Sequence, residues 1–325
     1  MKTWHPRMHS RPEHYLAQAQ MDLTWACNAR CKDCCGYEKR EQGVRQLSLP
    51  KAKEVVSALI QGANIRDLWI ACMGESTIYP WFLDLLKYVD EIAPRGQAIR
   101  QDTNGIFIPK GFIEFLNACH FFYDLSVSFW AYDKDSYAEL HGNNNFDKVV
   151  QNIHRYLDEW GYLRFSCVCF SRQQVNKAIE FLDGLCRQHG KKVVVIENMD
   201  LINAMTAREV GDTLIFLRKA YSRVNGKWQV SKYGAVVPTL CMNNCYFLNR
   251  NVLIGANGLV HPCIGVYGHD YFTIGDVNDF SPFTYKGLVN MLNGEKNRKF
   301  IEDNLEPARH AMGDFCKTCI SRVAL

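Results

Sequence analysis

Fourteen cysteines in 325 residues are the side chains best equipped for chemistry in this sequence, and their spacing sorts them. In LTWACNARCKDCCG, Cys27, Cys31 and Cys34 stand at CxxxCxxC. Far downstream, Cys245 and Cys263 are followed by Cys316 and Cys319, a CxxC pair. A [4Fe-4S] cube takes one thiolate per iron, so three cysteines on one short loop leave one iron open to an exogenous ligand. Four thiolates suffice for a second, closed cluster. Two alternatives stand beside this: zinc, with the trio borrowing a fourth ligand such as Cys35, or a cluster that only carries electrons. Cys241, in CMNNC, is a fifth downstream thiol that reads as an alternative ligand, a hydrogen-atom donor near substrate, or a buried small residue. Cys72, Cys119, Cys167, Cys169 and Cys186 fall within predicted strands or helices and read as packing residues.

The elements that must position these thiols follow from periodicity. β-Rich runs recur near 21–25, 66–71, 97–102, 123–129, 163–170 and 192–197. Helical patterns lie between them, the first with Ser48 as N-cap, Pro50 in its first turn and Ala52, Val55 and Leu59 on one face. Others span 81–93, 109–118, 146–159 and 173–189. Strand and helix alternating every ~30 residues predict parallel βαβ units with right-handed crossovers, closing as a complete or partial barrel. The first trio then sits on a strand-end loop, where barrel enzymes keep their chemistry. A further helix is expected over 203–222, then a turn-rich stretch, and the domain boundary is drawn there. NVLIGANGLVHPC predicts a hairpin turning at Asn257-Gly258, followed by weakly helical segments.

Composition narrows the class. At 47% hydrophobic and 22% charged residues, with 22 Gly and 10 Pro, the chain is globular rather than disordered or collagen-like. The 38 basic and 34 acidic side chains leave +4, too little and too scattered for a nucleic-acid groove or an anionic membrane. Apolar runs such as Val193 to Ile196 fall far below the ~18 residues of a membrane span. The first residues carry Lys2, Arg7 and Arg11 without an apolar stretch, so no secretory signal is expected and the default location is cytoplasmic. In that reducing setting clustered cysteines hold metal more often than they pair.

The CxxxCxxC loop resembles that of the radical S-adenosylmethionine (SAM) enzymes, and the resemblance runs from about residue 20 to the C-terminus. It implies an α/β fold in which a partial (β/α)6 TIM-like barrel is followed by a small C-terminal α+β domain. It also implies that SAM chelates the open iron and is cleaved to methionine and a 5′-deoxyadenosyl radical, which takes a hydrogen atom from substrate. MGESTIYP (Met73, Gly74, Glu75) is similar to the family's GGE segment, whose backbone acceptors and Glu hold the SAM ammonium. DTNGIF is similar to its TNG, with Thr103 and Asn104 at the barrel mouth, and Ser128 in LSVSFW matches a serine directed toward SAM. The sequence also departs from the pattern. Asp33 stands where a bulky residue packs on adenine, Met73 replaces the first glycine, Trp130 replaces a frequent Asp, and ELHG offers His141 where relatives have an Arg for the SAM carboxylate.

CYFLNRNVLIGANGLVHPC with FTIGDVND resembles the SPASM or twitch appendage, which implies that Cys245, Cys263, Cys316 and Cys319 hold one auxiliary [4Fe-4S] cluster. The expected organisation is an arm over 1–19 bearing His5, His9 and His14, a barrel over 20–200, a connecting segment over 201–238 and the auxiliary domain over 239–325. Such a pair of clusters points to net oxidation of a small polar metabolite, the auxiliary cluster taking the second electron. A peptide or protein modifier and a non-catalytic iron-sulfur or zinc protein are the alternatives. The partners implied are a one-electron reductant such as flavodoxin or ferredoxin and a small-molecule or peptide substrate, with neither nucleic acid nor membrane.

Overall fold

The computed structural model describes residues 16, 18–32, 34, 36, 40, 43–65, 67–70, 73–169, 171–196, 213–219, 221–224, 227–230, 251–262 and 272–305. The first expected strand, β1 (Gln18–Met21), comes earlier than 21–25, whose residues from Asp22 on already belong to a loop. The other five lie where the sequence places them: β2 (Asp67–Ile70), β3 (Ala98–Thr103), β4 (Phe122–Ser128), β5 (Arg164–Cys169) and β6 (Val193–Ile196). Five helices link them: α1 (Leu49–Ser57), α2 (Phe82–Ile92), α3 (Phe112–Ala118), α4 (Lys134–His141) and α5 (Phe146–Glu159), with α6 (Arg172–Arg187) between β5 and β6 making a sixth. Ser48 caps α1 as the sequence predicts, its hydroxyl accepting from Lys51 N at 3.4 Å.

The expected helix at 203–222 is overturned where the structure describes it. Thr213–Lys219 forms β7, parallel to both β5 and β6 and lying between them. TLIFLRK is a short apolar run of the kind that a strand buried on both faces shares with a buried helix, so periodicity alone misassigns it. The stretch drawn as a connecting segment thus supplies a strand to the sheet. β8 (Tyr221–Val224) and β9 (Lys227–Val230) form a separate antiparallel ribbon.

The Asn257-Gly258 turn is present. β10 (Asn251–Ile254) and β11 (Leu259–His261) are antiparallel, and Gly258 takes φ +88° at the turn. This hairpin does not form a sheet of its own: β10 pairs in parallel with β1, and β11 pairs antiparallel with β12 (Gly275–Asp276). The result is one ten-stranded sheet in the order β12-β11-β10-β1-β2-β3-β4-β5-β7-β6, a partial TIM-like barrel whose parallel strands are extended at the β1 edge. Helices α7 (Tyr285–Asn293) and α8 (Glu295–Leu305) follow. Among the described residues no helix is long and apolar enough to cross a membrane.

Strand alternation divides this sheet into two chemically different faces. Ala19, Leu68, Ile99 and Tyr123 lie in one register row, with Met21, Ile70 and Leu125 in the next, all buried beneath the helices. Phe112 of α3 and Tyr156 of α5 close on Tyr123 and Phe112 edge to face. The opposite face is polar: Gln20, Arg100 and Asp124, then Asp102, Ser126 and Arg164, then Ser128 and Ser166. Charges survive there by pairing. Arg164 and Asp124 are both fully buried and joined twice, at 3.0 and 3.1 Å, while Arg100 lies 3.0 Å from Asp67.

Candidate functional site

The chain leaves β1 into a loop closed at its base by a short antiparallel pairing: Trp25 N donates to Arg45 O at 2.8 Å and Leu47 N to Leu23 O at 3.1 Å. Cys27, Cys31 and Cys34 are carried on that loop, all half-buried and none in a disulfide. The loop docks on the C-terminal end of α4, where His141 O accepts from Arg30 N at 3.1 Å and Leu140 O from Lys32 N at 2.9 Å. These carbonyls are among the last four of the helix, which have no partner within it. Gly142 ends α4 in the left-handed region at φ +64°, and a Cβ there would lie 2.2 Å from Arg30 O. Only glycine lets loop and helix meet this closely.

The three thiols sense one another. Burial pushes the Cys31 thiol up to about 12, and Cys34 and Cys27 add to the rise. Burial also raises Cys27, opposed by the N–H of Ala29. Thiolates are therefore disfavoured unless a bound cation offsets their charge. Nevertheless each sulfur lies beside a side-chain nitrogen able to donate. Asn104 Nδ2 lies 3.8 Å from Cys27 Sγ, His141 Nδ1 is 3.9 Å from Cys31 Sγ, and both terminal nitrogens of Arg40 stand 3.6 Å from Cys34 Sγ. Donors suit thiolates rather than thiols, so this donor set fits a cationic iron-sulfur cluster. Among the described residues no three His, Cys, Asp or Glu side chains close on one point as a single ion would require; a cube spreads its thiolates over separate irons.

Glu75 is anchored within the protein. It is 2% exposed and takes four hydrogen bonds: Oε1 from Thr77 N at 3.2 Å, Thr77 Oγ1 at 2.7 Å and Thr103 Oγ1 at 2.8 Å, and Oε2 from Asn104 N at 2.7 Å. Burial raises its pKa and these donors pull it back. These bonds join the end of β3 to the turn after β2, three of them crowding Oε1 while Oε2 accepts only from Asn104 N. Met73 O already accepts from Arg40 Nη1 at 3.0 Å, leaving one lone pair. Gly74 is obligatory, since a Cβ would lie 2.0 Å from Thr24 O.

Asn104 is held from behind: Asn152, buried on α5, donates to Gly105 O at 2.8 Å and Ile106 O at 3.2 Å. Its Nδ2 also donates to Asn28 Oδ1 at 2.6 Å. Ser128 sits half-buried at the end of β4, opposite Ser166 of β5. His141 is not a solvated loop histidine. It is fully buried and stacked between Trp130 and Tyr137, each with ring centroids 4.3 Å away, and burial lowers its pKa to about 3. Trp130 is thus a packing partner of this imidazole. Arg40, Asn152 and Asn28 were missed by sequence reasoning because nothing in their spacing marks them; they become visible only through the contacts they make.

Two surface cavities of about 550 and 540 Å³ flank the site. One lies between Trp25 and Asn257, the other between Asn28 and Phe107. Cys241, Cys245, Cys263, Cys316 and Cys319 lie outside the described residues, as do Cys35, Cys72, Asp33 and the histidines of the N-terminal arm.

Solved structures with a similar fold now place this arrangement. SuiB of Streptococcus suis bound to precursor peptide SuiA has a TM-score of 0.62 at 14% identity, over 95% of this chain and 71% of that one. Native anSMEcpe with bound AdoMet gives 0.59 at 15%, over 94% and 88%. BtrN in complex with AdoMet and 2-DOIA gives 0.52 at 11%, over 95% and 94%. The fold is that of the radical SAM enzymes. No family model matches the chain, and no curated protein sequence does. On the radical SAM fold, the trio occupies the loop after β1, and Glu75, Asn104 and Ser128 follow at or just beyond the ends of β2, β3 and β4.

Proposed function

We propose that this chain is a radical SAM enzyme that oxidises a polar substrate. The observation that carries the reading is the trio itself: Cys27, Cys31 and Cys34 grouped on the loop after β1, each sulfur beside a side-chain nitrogen able to donate. Cys27, Cys31 and Cys34 would hold a [4Fe-4S] cluster. With SAM bound, this cluster supplies a 5′-deoxyadenosyl radical for hydrogen abstraction. The backbone of Met73 and Gly74, Glu75 Oε2 and the hydroxyl of Ser128 would contact SAM. Glu75 and Thr103 fix Asn104 in place, and His141 acts through Cys31. Support for SAM as cosubstrate comes from the neighbours solved with AdoMet bound.

A polar substrate follows from the inner face of the barrel, where Asp102, Ser126, Arg164 and Ser166 line up below the mouth. Burying such groups is costly unless something hydrogen-bonds them. The Ser126 and Ser166 hydroxyls and Arg164 Nη1 are buried without a protein partner. The proposal extends to one auxiliary [4Fe-4S] cluster on Cys245, Cys263, Cys316 and Cys319 as acceptor of the second electron, to Cys241 as a hydrogen-atom donor if turnover is redox-neutral, and to a cytoplasmic flavodoxin or ferredoxin as reductant. BtrN, in complex with AdoMet and 2-DOIA, supports the small-metabolite branch. The second reading is peptide modification, favoured by the higher TM-scores of SuiB with SuiA and of anSMEcpe with the Cp18Cys peptide.

Anaerobic reconstitution tests the assignment. Iron and sulfide should reach two clusters per chain, fall to one in the Cys245→Ala/Cys263→Ala double variant, and give a reduced-state EPR spectrum altered by SAM. A zinc-loaded protein whose spectra ignore SAM would overturn the reading. Product mass then separates oxidative from redox-neutral turnover, since dehydrogenation removes two hydrogens and epimerisation none.

A further inference from the structure

We infer that Arg40, His141 and Asn104 form a donor set, one side chain to each cysteine sulfur, that sets the reduction potential of the cluster on Cys27, Cys31 and Cys34. The inference rests on the cluster proposed above and concerns what this chain does to it. The three donors come from separate parts of the fold. Arg40 lies on the cysteine loop itself, beyond Cys34, while Asn104 follows β3 and His141 ends α4. Packing alone has no need to bring an N–H to every sulfur.

The electrostatics give the direction. Three thiolates on an oxidised cube leave a net negative charge, and reduction adds another, so a donor at sulfur stabilises the reduced state more and raises the potential. Arg40 contributes most. Its two terminal nitrogens both reach Cys34 Sγ at 3.6 Å, and its bond to Met73 O at 3.0 Å holds the fork there. His141 contributes as a neutral donor. Its ring is clamped between Trp130 and Tyr137, so it cannot swing away. Nε2 is buried with no hydrogen-bond partner, which leaves Nδ1, 3.9 Å from Cys31 Sγ, as the nitrogen in use. A ligating thiolate only accepts, so the ring carries its proton on Nδ1. Asn104 Nδ2 divides its donors between Cys27 Sγ and Asn28 Oδ1.

All three are positioning residues, acting through the cysteines, and the readout is a potential. In an EPR-monitored redox titration of the reconstituted full chain, followed on the signal that SAM perturbs, Arg40→Met and His141→Phe should each shift the midpoint to more negative values. Arg40→Lys should recover part of the first shift, and His141→Gln, which keeps an N–H, most of the second. If a variant fails to load its cluster, the wild type decides: with ¹⁵N-labelled histidine, pulsed EPR of the reduced cluster should show a weak nitrogen coupling that His141→Gln lacks. Unchanged midpoints in fully loaded variants, or no histidine coupling in the wild type, would overturn the inference. A wild type with no SAM-responsive cluster would instead sink the function proposed above, a separate and recognisable failure.

Discussion

Glu75 shows how one side chain organises the mouth of the barrel. Its carboxylate accepts from Thr77, Thr103 and Asn104 at once, and Asn104 in turn reaches Cys27 Sγ and Asn28. Glu75→Gln replaces one acceptor oxygen with a donor that faces donors. Leaving buried groups unsatisfied costs about 1–3 kcal/mol, so the variant should unfold at lower denaturant concentration and load less iron than the wild type. Equal stability together with equal iron content would contradict this role. The residue type was readable in MGESTIYP, but its partners were not: four hydrogen bonds converging from two strand ends leave no trace in the spacing of a single segment.

At the scale of elements, α4 does more than cross from β4 toward β5. Its C-terminal carbonyls receive the cysteine loop, its last residue supplies His141, and its first turn is fixed by a capping box in which Asp133 accepts from Ser136 N at 2.8 Å. Asp133→Ala should cost about 1 kcal/mol, measured by chemical denaturation. The hydrogen bonds from Ser136 hold the Asp133 carboxyl below its ordinary pKa. A depressed folded-state value means that the cap stabilises the protein above the usual aspartate pKa and is lost as pH falls through the lowered one. The difference between wild type and Asp133→Ala should therefore shrink on acidification; a gap that widened would contradict it. Gly142→Ala should be more damaging to the site than to the helix, because its Cβ strikes Arg30 O. Reduced iron content with helicity near wild type by circular dichroism is the expected outcome, and full iron loading would refute it. Strands β2 to β6, α1 and its Ser48 cap were legible in the sequence because each is written in local periodicity, whereas β1 lies three residues ahead of its expected start. β7 was not legible, since TLIFLRK has the same apolar density in a buried strand as in a helix. Nor was the pairing of β10 with β1, which joins residues more than two hundred apart.

The described residues form a partial barrel with a polar inner face, helices packed on the outside and the three loop cysteines at one end. Its interior depends on paired charges. Asp124 accepts Arg164 twice in full burial, so Asp124→Ala should cost about 3–5 kcal/mol by leaving the guanidinium with only the longer 3.8 Å contact to Asp102, read by urea denaturation; a loss below about 1 kcal/mol would show that the pair is not what holds β4 to β5. The barrel, its polar interior and the three cysteines at the mouth all converge on one claim, that Cys27, Cys31 and Cys34 hold a cluster that cleaves SAM. The most direct test is to incubate the reconstituted chain anaerobically with dithionite and SAM and to quantify 5′-deoxyadenosine, alongside the Cys27→Ala/Cys31→Ala/Cys34→Ala variant. Formation of 5′-deoxyadenosine by the wild type and its loss in the triple variant is the predicted result. A fully loaded wild type that makes none, or a triple variant that makes as much, would contradict the account.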